Sequence, residues 1–252
     1  CFLTSLVAIL RIPSIQNMAK RSFLTAPERK TFMIYIAPSL LAADFTKLGE
    51  DTARVEAAGA DFLHLDVMDG VFVPNISFGP AVIGALRPQS KLVFDVHLMI
   101  TAPERYVDRF IKAGADMISF HLEACEDPAA LIKTIKAAGV KAAVAISPDT
   151  PAEAIIPYLA DVDMALIMTV YPGFGGQKFM ADMLPKIRAV REYVDKNSLD
   201  CLIQVDGGID VATAPLVSAA GANVLVAGSA VFHAEDAQKK IADIRSAAAD
   251  NQ

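Results

Sequence analysis

The chain has 252 residues, 54% of them hydrophobic and 21% charged, with a net charge of -6 and no tryptophan. That mixed, slightly acidic balance argues against nucleic acid and anionic membrane as main partners, and no apolar run approaches the ~18–20 residues that span a bilayer. The three cysteines, Cys1, Cys125 and Cys201, are odd in number and widely spaced, which rules against a disulfide framework or a cysteine-rich zinc site and fits a reduced, cytoplasmic protein.

Residues 1–32 stand apart from the rest. Arg11, Lys20, Arg21, Arg29 and Lys30 face a single acid, Glu28, and an apolar run, FLTSLVAIL, follows Cys1. No basic residue precedes that run, so a secretory signal is not indicated. The segment reads as translated sequence upstream of a start at Met18 or Met33. The alternative is an organelle transit peptide, which would place the protein in a plastid. On either reading the segment lies outside the fold, and a single domain is expected over residues 33–252.

From Ile34 onward, short runs rich in β-branched and apolar residues alternate with amphipathic, alanine-rich helical patterns. The strand candidates, in order, are MIYIAPSL, DFLHLDVMD, KLVFDVHLM, DMISFHLEA, KAAVAISP, MALIMTVYP, CLIQVDGG and NVLVAGSA. Helical stretches fall between them at 45–58, 104–113, 129–138, 182–195 and 235–248. The segments AAGAD (57–61), KAGAD (112–116) and AAGAN (219–223) each mark a helix stopped by glycine just before the next strand. Eight units over residues 34–250 come to roughly 27 residues each, the economy of an α/β (β/α)8 TIM barrel. A doubly wound open sheet is the rival, but it rarely needs eight such even units.

Four strands carry one polar face. His64, Asp66 and Met68 alternate with Leu63, Leu65 and Val67; Asp95, His97 and Met99 alternate with Phe94, Val96 and Leu98. Ser119, His121 and Glu123 alternate with Ile118, Phe120 and Leu122, and Gln204 and Asp206 with Ile203 and Val205. Helices must cover the outside of a parallel sheet, so the apolar set points outward and the polar set into the barrel. Imidazoles and carboxylates buried there cost several kcal/mol unless they are paired or bound to a metal. The polar groups also sit late in their strands, at the end where barrel enzymes carry their chemistry. His64, Asp66, His97 and Asp206 therefore make a candidate N/O cage for one divalent cation, with zinc, iron, manganese and cobalt all left open. His121, one strand further round, reads as a structural or supporting group.

After the sixth strand comes VYPGFGGQKF, in which Gly173, Gly175 and Gly176 surround Phe174. Such a loop lets backbone amides approach a ligand closely and suits movement. VDGGI (205–209) and VAGSAVF (226–232) place Gly207, Gly208, Gly228 and Ser229 at the last two strand ends, where barrels commonly hold a phosphate. A phosphorylated small molecule follows from the combination. No G-x-G-x-x-G follows the first strand and no P-loop lysine is present, so a dinucleotide or ATP is not indicated.

The segments IAPSLLAADF, LHLDVMDGVFVPNISFGP, DVHLM, FHLEA, MTVYPGFGGQKF, VDGGI and GSAVF, in this order over residues 34–232, resemble the ribulose-phosphate 3-epimerase family. The resemblance implies interconversion of D-ribulose 5-phosphate and D-xylulose 5-phosphate in the pentose phosphate pathway. It implies a divalent cation on His64, Asp66, His97 and Asp206, with Asp66 as proton acceptor and Asp206 as donor. Ser39 and His97 would contact substrate, and Gly173, Phe174, Gly175, Gly176, Gly207, Gly208, Gly228 and Ser229 would cradle its far end and phosphate. Met68, Met99 and Met168 match the family's methionines beside the reacting carbons. A homo-oligomer is implied as well. The rivals are an allulose-6-phosphate 3-epimerase with the same ligands and acids, a metal-free phosphate-binding barrel, and a non-catalytic sugar-phosphate sensor.

Overall fold

The structure, a computed structural model, describes residues 32–250. The expected leader lies outside the described residues except for Phe32, whose ring packs against the core with the Arg191 guanidinium 4.7 Å from its centroid.

Eight strands form one all-parallel sheet: β1 (Tyr35–Pro38), β2 (Phe62–Met68), β3 (Val93–Met99), β4 (Met117–His121), β5 (Lys141–Ile146), β6 (Met164–Met168), β7 (Leu202–Asp206) and β8 (Val224–Ala227). The ladder runs β1-β8-β7-β6-β5-β4-β3-β2. The circle closes through a parallel bridge between Ser39 and His64 and through Asp61, whose amide donates to the Ile36 carbonyl at 3.0 Å. The single-domain (β/α)8 barrel expected from the alternation is the fold.

The helices are α1 (Leu48–Ala57), α2 (Pro80–Leu86), α3 (Val107–Lys112), α4 (Pro128–Ala137), α5 (Leu184–Lys196), α6 (Ala214–Ala219), α7 (Ser229–Phe232) and α8 (Ala237–Ala249). One crossover departs from the expected rhythm. Between β5 and β6 the chain makes two 3-10 turns, Ala152–Ala154 and Ile156–Tyr158, and no α-helix. Pro157 falls inside the segment, where it removes an amide that an α-helix would use and its ring would clash with the carbonyl four residues back.

The repeated AGA-D/N segments have a physical explanation. Gly59, Gly114 and Gly221 adopt φ of +87°, +95° and +111°, a backbone conformation costly for residues with a Cβ. The next residue's amide reaches back to close each helix: Ala60 to Val55, Ala115 to Phe110 and Ala222 to Val217. The Asp or Asn that follows accepts from the preceding strand. Asp61 takes the Ile36 amide at 2.8 Å, Asp116 that of Phe94 at 2.8 Å and Asn223 that of Ile203 at 2.7 Å. One short motif thus ends a helix and sets the register of the strand after it.

The main core lies between sheet and helices and contains the outward set, including Leu63, Leu65, Val67, Phe94, Val96, Leu98, Ile118 and Phe120. The barrel interior has a second cluster at its N-terminal end, built from Phe62, Met117, Ala143, Met164 and Val224. The Tyr35 ring meets Phe62 edge-on there, 5.7 Å between centroids. The polar set lies above this plug. Among the described residues no helix is long and apolar enough to cross a membrane.

Candidate active site

Register brings the polar residues together. Asp66 lies beside His97, His64 beside Asp95 and Met68 beside Met99 across β2 and β3, while Met168 of β6 lies beside Asp206 of β7. His64 and His97 are fully buried and Asp66 nearly so.

Four donor atoms converge: His64 Nε2, Asp66 Oδ1, His97 Nδ1 and Asp206 Oδ2, within 4.8 Å of one another. The two ring nitrogens are 3.3 Å apart. Asp66 Oδ1 lies 3.3 Å from each of them, and Asp206 Oδ2 lies 3.7 Å from each. Ligands at 2.0–2.1 Å from a shared tetrahedral centre are about 3.3–3.4 Å apart; the five separations that involve an imidazole, 3.3–3.7 Å, are of that size, and the whole set fits within 4.8 Å. Two imidazoles and two carboxylates are also the donor set such ions prefer.

The two carboxylates are not equivalent. Burial pushes Asp66 up, but the neighbouring His64 and His97 more than offset it, and its carboxyl titrates below the usual carboxylate range. Ser39 Oγ adds a 2.5 Å hydrogen bond to Asp66 Oδ2. Asp206 is raised to about 7, first by burial and then by the negative charge of Asp66. His64 is raised well above the ordinary histidine value: burial acts against its charge, but Asp66 and Asp95 outweigh it. His97 is lowered, chiefly by burial.

Above the cage opens a cleft of about 510 Å³. Asp66 and Asp206 reach its floor beside Ser39, Met68, Met99 and Met168, while His64 and His97 stay beneath it. Gly173, Phe174, Gly175 and Gly176 line one side, with Gly207, Gly208, Gly228 and Ser229 at the far end. Gly173, Gly176, Gly207 and Gly208 all have positive φ, and at the last two a side chain would also collide with its neighbours. Gly207 has φ +123° and Gly208 φ +68°; a Cβ would meet Val170 Cγ2 at 2.4 Å in the first and the Phe179 amide nitrogen at 2.4 Å in the second. Gly228 caps α7: its carbonyl accepts from the Val231 and Phe232 amides at 2.9 and 3.0 Å, so only the amides before them, at Ser229 and Ala230, precede the first helical hydrogen bond.

Residues 35–232 match the model of the Ribulose-phosphate 3 epimerase family. The chain belongs to this family. It is 53% identical over 214 residues to the ribulose-phosphate 3-epimerase of Bacillus subtilis (strain 168), covering 84% of this chain and 99% of that protein. It is 50% identical over 216 residues to the ribulose-phosphate 3-epimerase of Synechocystis, covering 84% and 94%. Among solved structures, a 3-hexulose-6-phosphate synthase superposes with a TM-score of 0.61 at 23% identity over 85% of this chain and 99% of that one, a likeness of fold.

Several residues at the epimerase-family site were not singled out by sequence. Asp95 Oδ2 accepts from His64 Nδ1 at 2.7 Å and from Gln204 Nε2 at 2.6 Å. Both residues were legible as members of the inward set; their mutual contact, from opposite sides of the barrel, was not. Asn75 Nδ2 donates to the Gly173 carbonyl at 2.7 Å, tying the loop after β2 to the loop after β6. Gln177 Nε2 donates to the Tyr171 and Phe174 carbonyls at 2.6 and 2.9 Å, bracing the glycine loop from within. Thr213 Oγ1 donates to the Gly208 carbonyl at 2.9 Å. These loop contacts join segments with no common sequence period, so no pattern announced them.

Proposed function

We propose that this chain is a ribulose-phosphate 3-epimerase that inverts C3 of D-ribulose 5-phosphate to give D-xylulose 5-phosphate, and the reverse, through an enediolate. The observation that carries the reading is the four-donor cage of His64, Asp66, His97 and Asp206 at the floor of a glycine-walled cleft, in a chain of this family.

Inverting a stereocentre beside a ketone means removing the C3 proton from one face and returning a proton to the other. Asp66, held ionised by the histidines and by Ser39, is suited to accept the proton. Asp206, whose carboxyl is raised in the metal-free site by burial and by the charge of Asp66, is suited to deliver one. The strands that carry them, β2 and β7, are separated by β1 and β8, so the two acids approach the reacting carbon from different sides. In the reverse direction they exchange roles. A divalent cation on the four ligands would supply Lewis-acid stabilisation of the negative charge on the C2 and C3 oxygens. Met68, Met99 and Met168 wall the reacting carbons with groups that donate no proton to the enediolate. Gly207, Gly208, Gly228 and Ser229 offer main-chain amides to the phosphate, as the first turn of a helix does.

The test is exchange in D2O followed by NMR, with metal-stripped and metal-restored enzyme. Deuterium should enter C3 of ribulose 5-phosphate as xylulose 5-phosphate forms, only after zinc, iron, manganese or cobalt is returned. Faster turnover of allulose 6-phosphate would reassign the substrate, full activity without metal would refute the cage, and no exchange with either sugar would leave a binding protein.

A further inference from the structure

The two cage histidines are oriented by different devices. His64 turns Nδ1 to Asp95 and leaves Nε2 for the cage. His97 is reversed: Nδ1 faces the cage, and Nε2 meets His121 Nε2 at 3.0 Å. Two neutral imidazole nitrogens share a hydrogen bond only when one carries the proton and the other a lone pair. The choice between them is made further back. His121 Nδ1 lies 3.2 Å from Glu123 Oε2. The other oxygen of Glu123 accepts from the Ser147 amide at 2.8 Å and from the Thr150 hydroxyl.

A carboxylate can only accept. His121 must therefore keep its proton on Nδ1 and present a lone pair at Nε2, which obliges His97 to carry its proton on Nε2. The lone pair of His97 Nδ1 is then left pointing into the cage. The Ser147 hydroxyl, 3.3 Å from His121 Nδ1, can donate or accept and so selects neither form.

We propose that Glu123 and His121 are positioning residues that dictate the tautomer of His97 through a Glu123–His121–His97 relay. Neither lines the cleft. The inference rests on the cation cage of the preceding section.

Glu123→Gln separates this role from packing, because the amide keeps the shape and reverses the proton order. The Ser147 amide can only donate, so the glutamine oxygen must face it and the glutamine NH2 must face His121 Nδ1. His121 then carries its proton on Nε2, and the proton of His97 is driven onto Nδ1, into the cage. Glu123→Ala leaves His121 free to take either form. A packing role predicts that the alanine variant is the worse of the two; the relay predicts that the glutamine variant is.

The experiment is zinc affinity of the full chain, measured by competition with a chromophoric chelator, together with histidine 15N shifts of the zinc-free protein. The expected result is zinc binding about 10–100-fold weaker in Glu123→Gln, a smaller loss in Glu123→Ala, and a His97 proton that moves from Nε2 to Nδ1 only in the glutamine variant. Zinc bound as tightly by Glu123→Gln as by the wild type, or more weakly by the alanine variant, would overturn the relay and leave the cage standing. A wild-type chain that binds no zinc would remove the cage and the relay with it.

Discussion

The two ends of the barrel interior are built from the same strands and made of opposite materials. Within β2, Phe62 and Asp66 both point inward, four residues apart. Phe62 joins Met117, Ala143, Met164 and Val224 in an apolar plug, while Asp66 joins two imidazoles and a second carboxylate. The lower end gains free energy by removing apolar surface from water. The upper end bears the cost of buried ionisable groups, a cost worth carrying only where those groups have work to do. Height along the strand, more than strand identity, decides whether an inward residue serves stability or chemistry.

The largest effect should come from the upper end. Asp66→Asn and Asp206→Asn are each expected to lower kcat by ~10²–10⁴-fold or more, while far-UV circular dichroism stays that of the wild type. Either variant turning over near the wild-type rate would break the two-carboxylate scheme. The lower end should behave in the opposite way. Met117 is fully buried, and Met117→Ala should cost about 2–5 kcal/mol in denaturant unfolding with the kcat of the remaining folded enzyme little changed. A Met117→Ala enzyme of normal stability but lost activity would erase the division.

A smaller effect sharpens the electrostatics of the upper end. In the metal-free protein Asp206 holds a proton up to about pH 7, and the raised His64 holds one beyond its ordinary range. A cation must displace both. Affinity should therefore fall as pH drops below neutrality, by roughly tenfold per pH unit for each proton displaced, and level off once both groups are deprotonated. Chelator competition at several pH values, with counting of released protons, measures this. A one-proton slope from mildly acidic to neutral pH would mean that Asp206 is ionised before the ion arrives, and a flat affinity that His64 is neutral as well.

Much of this was legible in the sequence because both periods involved are local. Two-residue alternation placed His64, Asp66, His97 and Asp206 on one face, and the βα rhythm said which face that was. Glycine spacing marked the helix ends and the glycine-lined end of the cleft. The fifth crossover departs from the eight-unit rhythm because Pro157 interrupts the segment where that rhythm expects a helix. The Asp95–Gln204 contact escaped because it spans the barrel, and so did the choice of ring nitrogen on each histidine, since a sequence names the ring and not its orientation. His121 was read as a supporting group, and only coordinates connect it to Glu123 on one side and His97 on the other.

The wall is thinnest where the first strand meets the second. Outside the continuous ladder, the Ser39–His64 bridge and the Asp61 contacts with Ile36 join β1 to β2. The four candidate ligands come from β2 and β3 on one side of that seam and β7 on the other, so an ion held by them would act as a rivet across the joint. Mass action then couples the shell's integrity to the supply of that ion: a cell starved of it would hold a looser barrel as well as an idle catalyst.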